Sequence, residues 1–154
     1  MDLDETELLL RLGAATAAGM ALGLNRDLQN KPIGMRTLGL VALGSAIVVV
    51  STVYFETLVG HPDALSRVVQ GVIQGIMAGI SFIGAGVILR DSQARTVEGL
   101  TTAATVWVTA ALGIACGLAA WKIAATGVGL ALFLLAAVGW LESKLGLGEG
   151  QRED

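Results

Sequence analysis

Residues able to do chemistry are few in this sequence, and they gather at three places. Asn25, Arg26 and Asp27 follow the first apolar run, Arg36 and Thr37 open the second, and Arg90, Asp91, Arg95, Glu98, Thr101 and Thr102 precede and begin the fourth. If the runs are helices that cross a membrane in alternation, all three places fall at the same end. Opposite charges at the edge of a low-dielectric region pair, and such pairs fix how helices meet. One reading is therefore a structural polar cap. The other is a docking or ligand site, with Asp27, Asp91 and Glu98 supplying oxygens to a hard cation such as Mg²⁺. The residue types alone assign no metal.

A second polar set lies within the apolar runs themselves. Gln70, Gln74 and Ser81 fall near one face of the third run, and Thr102, Thr105 and Thr109 form a face of the fourth with Trp107 roughly opposite. Buried amides and hydroxyls in lipid need partners, so these faces are expected to point into protein or water. They bond between helices or together line a polar conduit. Gly71, Gly75 and Gly79 repeat every four residues on the third run, and Gly84 and Gly86 follow. Such spacing strips one helix face of side chains and lets another backbone approach. Ala15, Gly19 and Gly23 make a similar stripe on the first run.

Enzyme constellations are missing from the sequence: it holds no phosphate-binding loop, no G-x-S-x-G elbow and no zinc-spaced His/Cys set. With one histidine, His61, a multi-histidine metal site within one chain is excluded. The single cysteine, Cys116, sits in an apolar run and reads as a packing residue. No basic stripe suggests nucleic acid, and the formal net charge is −3.

The elements that must position these residues are apolar helices. Hydrophobic residues make up 54% of the 154, charged residues 15%, and mean hydropathy is +0.71, which points to an integral membrane protein. The runs are Leu8 to Leu24, Thr37 to Phe55, Val68 to Leu89, Leu100 to Ala119 and Ile123 to Leu141. They are Ala-, Leu- and Gly-rich without alternation, which disfavours a barrel. The fold class expected is all-α, a bundle of five transmembrane helices over residues 1–141 with a short charged tail at 142–154. Arg11 is expected to pair with Glu7 one turn earlier or to snorkel. Gly99 to Ala104 reads as a helix start, with a threonine hydroxyl able to accept from an otherwise unpaired backbone N–H and Glu98 just ahead, where a helix N-terminus favours negative charge. Arg26, Lys31, Arg36, Arg90, Arg95, Lys144 and Arg152 outnumber Arg11, Arg67 and Lys122 on the opposite side. That asymmetry places the N-terminus outside and the C-terminus in the cytoplasm.

Four stretches together resemble the MgtC/SapB membrane-protein family: Gly23-Leu24-Asn25-Arg26-Asp27; Pro32 to Thr37 with Leu40 to Gly44; Phe82 to Ile88; and Val97 to Ala104 followed by Trp107. The resemblance implies a multi-pass protein of the bacterial inner membrane, linked to magnesium limitation and in some pathogens to survival inside host cells. It implies a magnesium-transport accessory or regulatory role, with restraint of the proton-translocating ATP synthase by contact in the membrane in its best-known member. Together with the glycine stripes and the lack of catalytic chemistry, the resemblance leads to an expected regulator that works by helix contacts and forms a homo-oligomer, most simply a dimer, the alternative being a channel or transporter for a cation or small solute. It also implies a short form lacking the soluble C-terminal domain of the virulence-associated members. No cofactor is expected beyond the Mg²⁺ already considered. The family often has a glutamate pair around the arginine after helix one, where this chain has Asn25 and Asp27.

Overall fold

Long apolar segments with no internal proline fold here as helices, because a membrane offers the backbone no partner other than itself. The computed structural model describes residues 4–57, 62–91, 96–138 and 144. Its helices are α1 (Glu5–Leu28), α2 (Met35–Thr57), α3 (Pro62–Val87), α4 (Leu100–Gly117) and α5 (Trp121–Phe133), the last continued by a π-helical turn at Leu134–Val138. Four of them are long and apolar enough to cross a membrane, and Trp121–Ala137 is an apolar helix below that length. The expected all-α bundle of five helices is therefore present, with four helices of spanning length. Between α3 and α4 the charged loop is partly a hairpin: β1 (Leu89–Asp91) pairs antiparallel with β2 (Thr96–Glu98), Arg90 opposite Val97.

Two helix ends close in the same way. After α1, Asn30 takes a left-handed φ of 52°, its N–H bonds the Asp27 carbonyl, and the Lys31 N–H bonds the Arg26 carbonyl. After α4, Ala119 takes φ 55°, with Ala119 N–H on Cys116 and Ala120 N–H on Ala115. Both are Schellman closures, which satisfy the last carbonyls and turn the chain back sharply. That geometry gives the tight α4–α5 connection that the short Ala120–Lys122 spacer implies.

At the centre stands α4, packed against α1, α2, α3 and α5. Of its spanning window 61% is buried, against 11% for α3. Leu22, Leu38, Val106 and Ala110 form one cluster of the core, and Ala15, Ala42, Ala46 and Cys116 another. Cys116 is 2% exposed and unbonded, as a packing residue should be. The residues of the second cluster are small because the backbones nearly touch there. A Cβ at Gly113 would lie 2.9 Å from both Ala42 Cα and Ser45 Cβ, and one at Gly19 would lie 2.9 Å from Ala42 Cβ. His61, Arg95, Trp140 and most of the 142–154 tail lie outside the described residues.

Candidate functional site at the Arg26 end of α1 and α4

Arg11 and Arg26 are fifteen residues apart on α1, so they share a face to within about 60° and stand roughly 22 Å apart along the axis. Gly117 and Thr102 are also fifteen apart on α4. Arg11 Nη1 donates to the Gly117 carbonyl at 2.9 Å, while Arg26 Nη2 donates to the Thr102 hydroxyl. The helices therefore run antiparallel, each arginine meeting one end of α4.

Their electrostatic surroundings are opposite. Arg11 also donates through Nε to Glu7 at 3.1 Å, in the ion pair the i, i+4 spacing suggests. It faces the C-terminus of α4, where the helix dipole favours a cation. Arg26 faces the N-terminus of α4, where the dipole disfavours one. It is 3% exposed, and among the described residues its guanidinium's only hydrogen-bond partner is the neutral Thr102, its Nε being buried with none.

Asp27, its neighbour in sequence, is committed elsewhere. One carboxylate oxygen accepts the Met35 N–H at 2.9 Å, capping the start of α2 across the connection. The other packs where a side chain on Gly34 would stand. This clamp holds Ile33 at φ 63°, an unfavourable conformation for a β-branched residue, with its side chain packed against the core. Asn25 accepts from Gln29 Nε2 at 3.2 Å, and Asp27, Arg36, Thr37 and Thr101 are exposed. The side chains of Arg90, Asp91 and Glu98 lie outside the described residues.

The expected threonine cap on α4 is absent. Gly99 is the N-cap, in a left-handed conformation at φ 85° and pressed against the Val87 carbonyl, where any Cβ would collide; no side chain caps the helix. Thr102 instead receives Arg26. The buried guanidinium and the uncapped helix start present donors, so this described part of the site has the chemistry of an anion cradle. No group of three His, Cys, Asp or Glu able to hold a metal occurs among the described residues.

The two polar faces considered as a conduit are not brought together within the chain. Thr102, Thr105 and Thr109 are buried, the last two bonding back to Thr101 and Thr105 carbonyls, with Trp107 half exposed on the other side. Gln70, Gln74 and Ser81 face outward; Ser81 bonds back to Met77. The glycine stripe of α3 is likewise open: a Cβ at Gly71, Gly75, Gly79 or Gly86 would meet nothing within 4 Å, and at Gly84 only Ala103, at 3.6 Å. Intramolecular helix contact falls instead to the Ala15/Gly19/Gly23 stripe of α1 and to Gly113 and Gly117 of α4. Sequence reasoning missed this use of α4, together with the burial of Arg26. The matching fifteen-residue spacings on two antiparallel helices were the available signal.

The family model described as the MgtC family matches residues 12–144. Protein SrpB of Synechococcus elongatus is 42% identical over 137 residues, covering 84% of this chain and 73% of SrpB. Protein SapB of Bacillus subtilis is 34% identical over 153 residues, covering 97% of this chain and 64% of SapB. Protein MgtC of Salmonella typhimurium is 37% identical over 114 residues, covering 74% of this chain and 45% of that protein. The chain thus spans between about half and three quarters of the length of these relatives. No solved structure matches it.

Proposed function

This chain belongs to the MgtC family, and on that premise we propose that it is a non-enzymatic accessory protein of the bacterial inner membrane, acting in adaptation to low magnesium through helix contacts with membrane partners. Its N-terminus is outside and its C-terminus cytoplasmic, following the Lys/Arg asymmetry. The observation that carries the contact reading is the uncovered face of α3. Gly71, Gly75 and Gly79 stand open there. Gln70 and Gln74 are exposed beside them with no hydrogen bond among the described residues.

A lipid chain cannot satisfy an amide, whereas a helix can. Since an amide both donates and accepts, the same glutamine across a two-fold axis is its own complement, so the first partner is a second copy of this chain. By the family resemblance, a further partner is the proton-translocating ATP synthase.

The test is association of the full chain in bilayers. Replacing Gly75 and Gly79 with leucine should leave the protomer folded and weaken dimerisation at least about tenfold. Unchanged oligomer size and partner capture would refute the reading. Liposome assays give an independent check: Mg²⁺ uptake that saturates and falls on Gln74→Leu would replace the regulator with a transporter, and vesicles as tight as protein-free ones favour the regulator.

A further inference from the structure

Among the described residues, Arg26 Nε is the one buried side-chain polar atom without a hydrogen-bond partner. A guanidinium taken out of water with only a hydroxyl for company is costly, and the cost is met where an anion completes it. The described backbone and basic residues nearby add positive potential. The start of α4 leaves its first N–H groups without helical partners, and Gly99 brings no side chain to take them. Lys31 is exposed on the adjacent connection and Arg36 on the first turn of α2, and the Asp27 carboxylate is turned to Met35. Arg26 lies in the last turn of α1, at the end of a membrane-length helix, the level at which bilayer phosphates sit.

We propose that this end of α1 and α4 binds an oxyanion of the phosphate type, gripped by the Arg26 guanidinium and the first-turn N–H groups of α4. Guanidinium and helix start approach from different directions. A carboxylate would spend both oxygens on the guanidinium fork, whereas a phosphate has oxygens left for the helix. A phospholipid headgroup and free phosphate share this chemistry, and basic pockets between membrane helices hold headgroups in this way. The site does not depend on the α3 contact, which lies on another helix.

The full chain is delipidated in a phosphate-free maltoside and titrated with inorganic phosphate by calorimetry. In parallel it is released for native mass spectrometry from nanodiscs of phosphatidylglycerol and phosphatidylcholine. One phosphate-bearing ligand per chain is expected. Saturable binding of inorganic phosphate identifies the free ion, and a retained lipid adduct without it identifies the headgroup. Arg26→Gln should weaken retention at least about tenfold, the worth of a charge-assisted contact, while Lys122→Gln, at the opposite end, should leave it unchanged. If Arg26→Gln does not fold, Arg26→Lys keeps the charge, loses the Nε donor and should bind a few-fold more weakly. Wild-type protein that holds neither ligand overturns the proposal, as does full retention in either Arg26 variant.

Discussion

The same glycine spacing builds two opposite arrangements in this chain. Gly19 and Gly23 on α1 and Gly113 and Gly117 on α4 are four residues apart, as are Gly71, Gly75 and Gly79 on α3. On α1 and α4 the spacing is used: at all four positions a Cβ would meet backbone or side chain of α2 or its approach at 3.1 Å or less. On α3 nothing stands within 4 Å. A stripe of small residues thus states that contact is permitted, and topology decides whether the chain itself makes it. The helix at the centre finds neighbours on every side, while α3 packs through one side and keeps its glycines outward.

The contrast breaks first, and with the largest effect, at Gly113. Gly113→Ala drives a Cβ into the Ala42 backbone, which cannot swing aside as a side-chain tip would. Loss of about 3 kcal/mol or more, or failure to fold, is expected from overpacking of this kind. Reversible unfolding in denaturant-titrated micelles measures it. A loss below about 1 kcal/mol would mean that the α2–α4 seam yields and that the two glycine stripes differ less than the geometry says.

The closed seam is also fastened at its ends, and the two fastenings predict changes of opposite sign. Arg11→Met removes a bond to the Gly117 carbonyl and an ion pair to Glu7. Glu7 is 44% exposed, so solvent screens the pair and the expected loss is only about 1–2 kcal/mol, most of it from the carbonyl bond. Arg26→Met removes a buried charge that lacks a counter-ion among the described residues, so in lipid- and phosphate-free micelles it should raise stability by about 1 kcal/mol. The same unfolding assay compares the two. Equal losses would show that Arg26 is compensated by a group of the protein itself.

Much of this was legible in the sequence. Apolar runs separated by charge placed α1, α2 and α4 to within four residues at each end, though α3 begins six residues before its run, and Glu7 four before Arg11 offered its pair, because both signals are local. The burial of Arg26 was not legible. Its charge and its place at the end of a run suggested a polar cap of paired charges or a ligand site at the membrane edge, and only the docking of α4 puts it inside with a neutral partner. The cap of α4 failed for a related reason: Thr101 and Thr102 look like capping residues, but Gly99 must pass under the Val87 carbonyl, so the helix starts from a left-handed glycine. The α3 stripe reads as a packing surface, yet its spacing could not say that the chain's own helices leave it uncovered.

The smallest expected change tests that last point. In the isolated protomer Gly75→Ala adds a methyl to open space, so helix propensity alone acts and stability should rise by no more than about 1 kcal/mol. In an assembly where two α3 helices meet along Gly71, Gly75 and Gly79, the same methyl stands between backbones and should weaken association severalfold. Measuring unfolding at high dilution and dimerisation at high protein-to-lipid ratio on one variant separates the two terms. A protomer made slightly more stable but a dimer made weaker would place α3 beside the closed seam of α1, α2 and α4, completed between chains instead of within one. Gains in both would leave the open stripe as a lipid-facing surface and remove the contact that supports the proposed function.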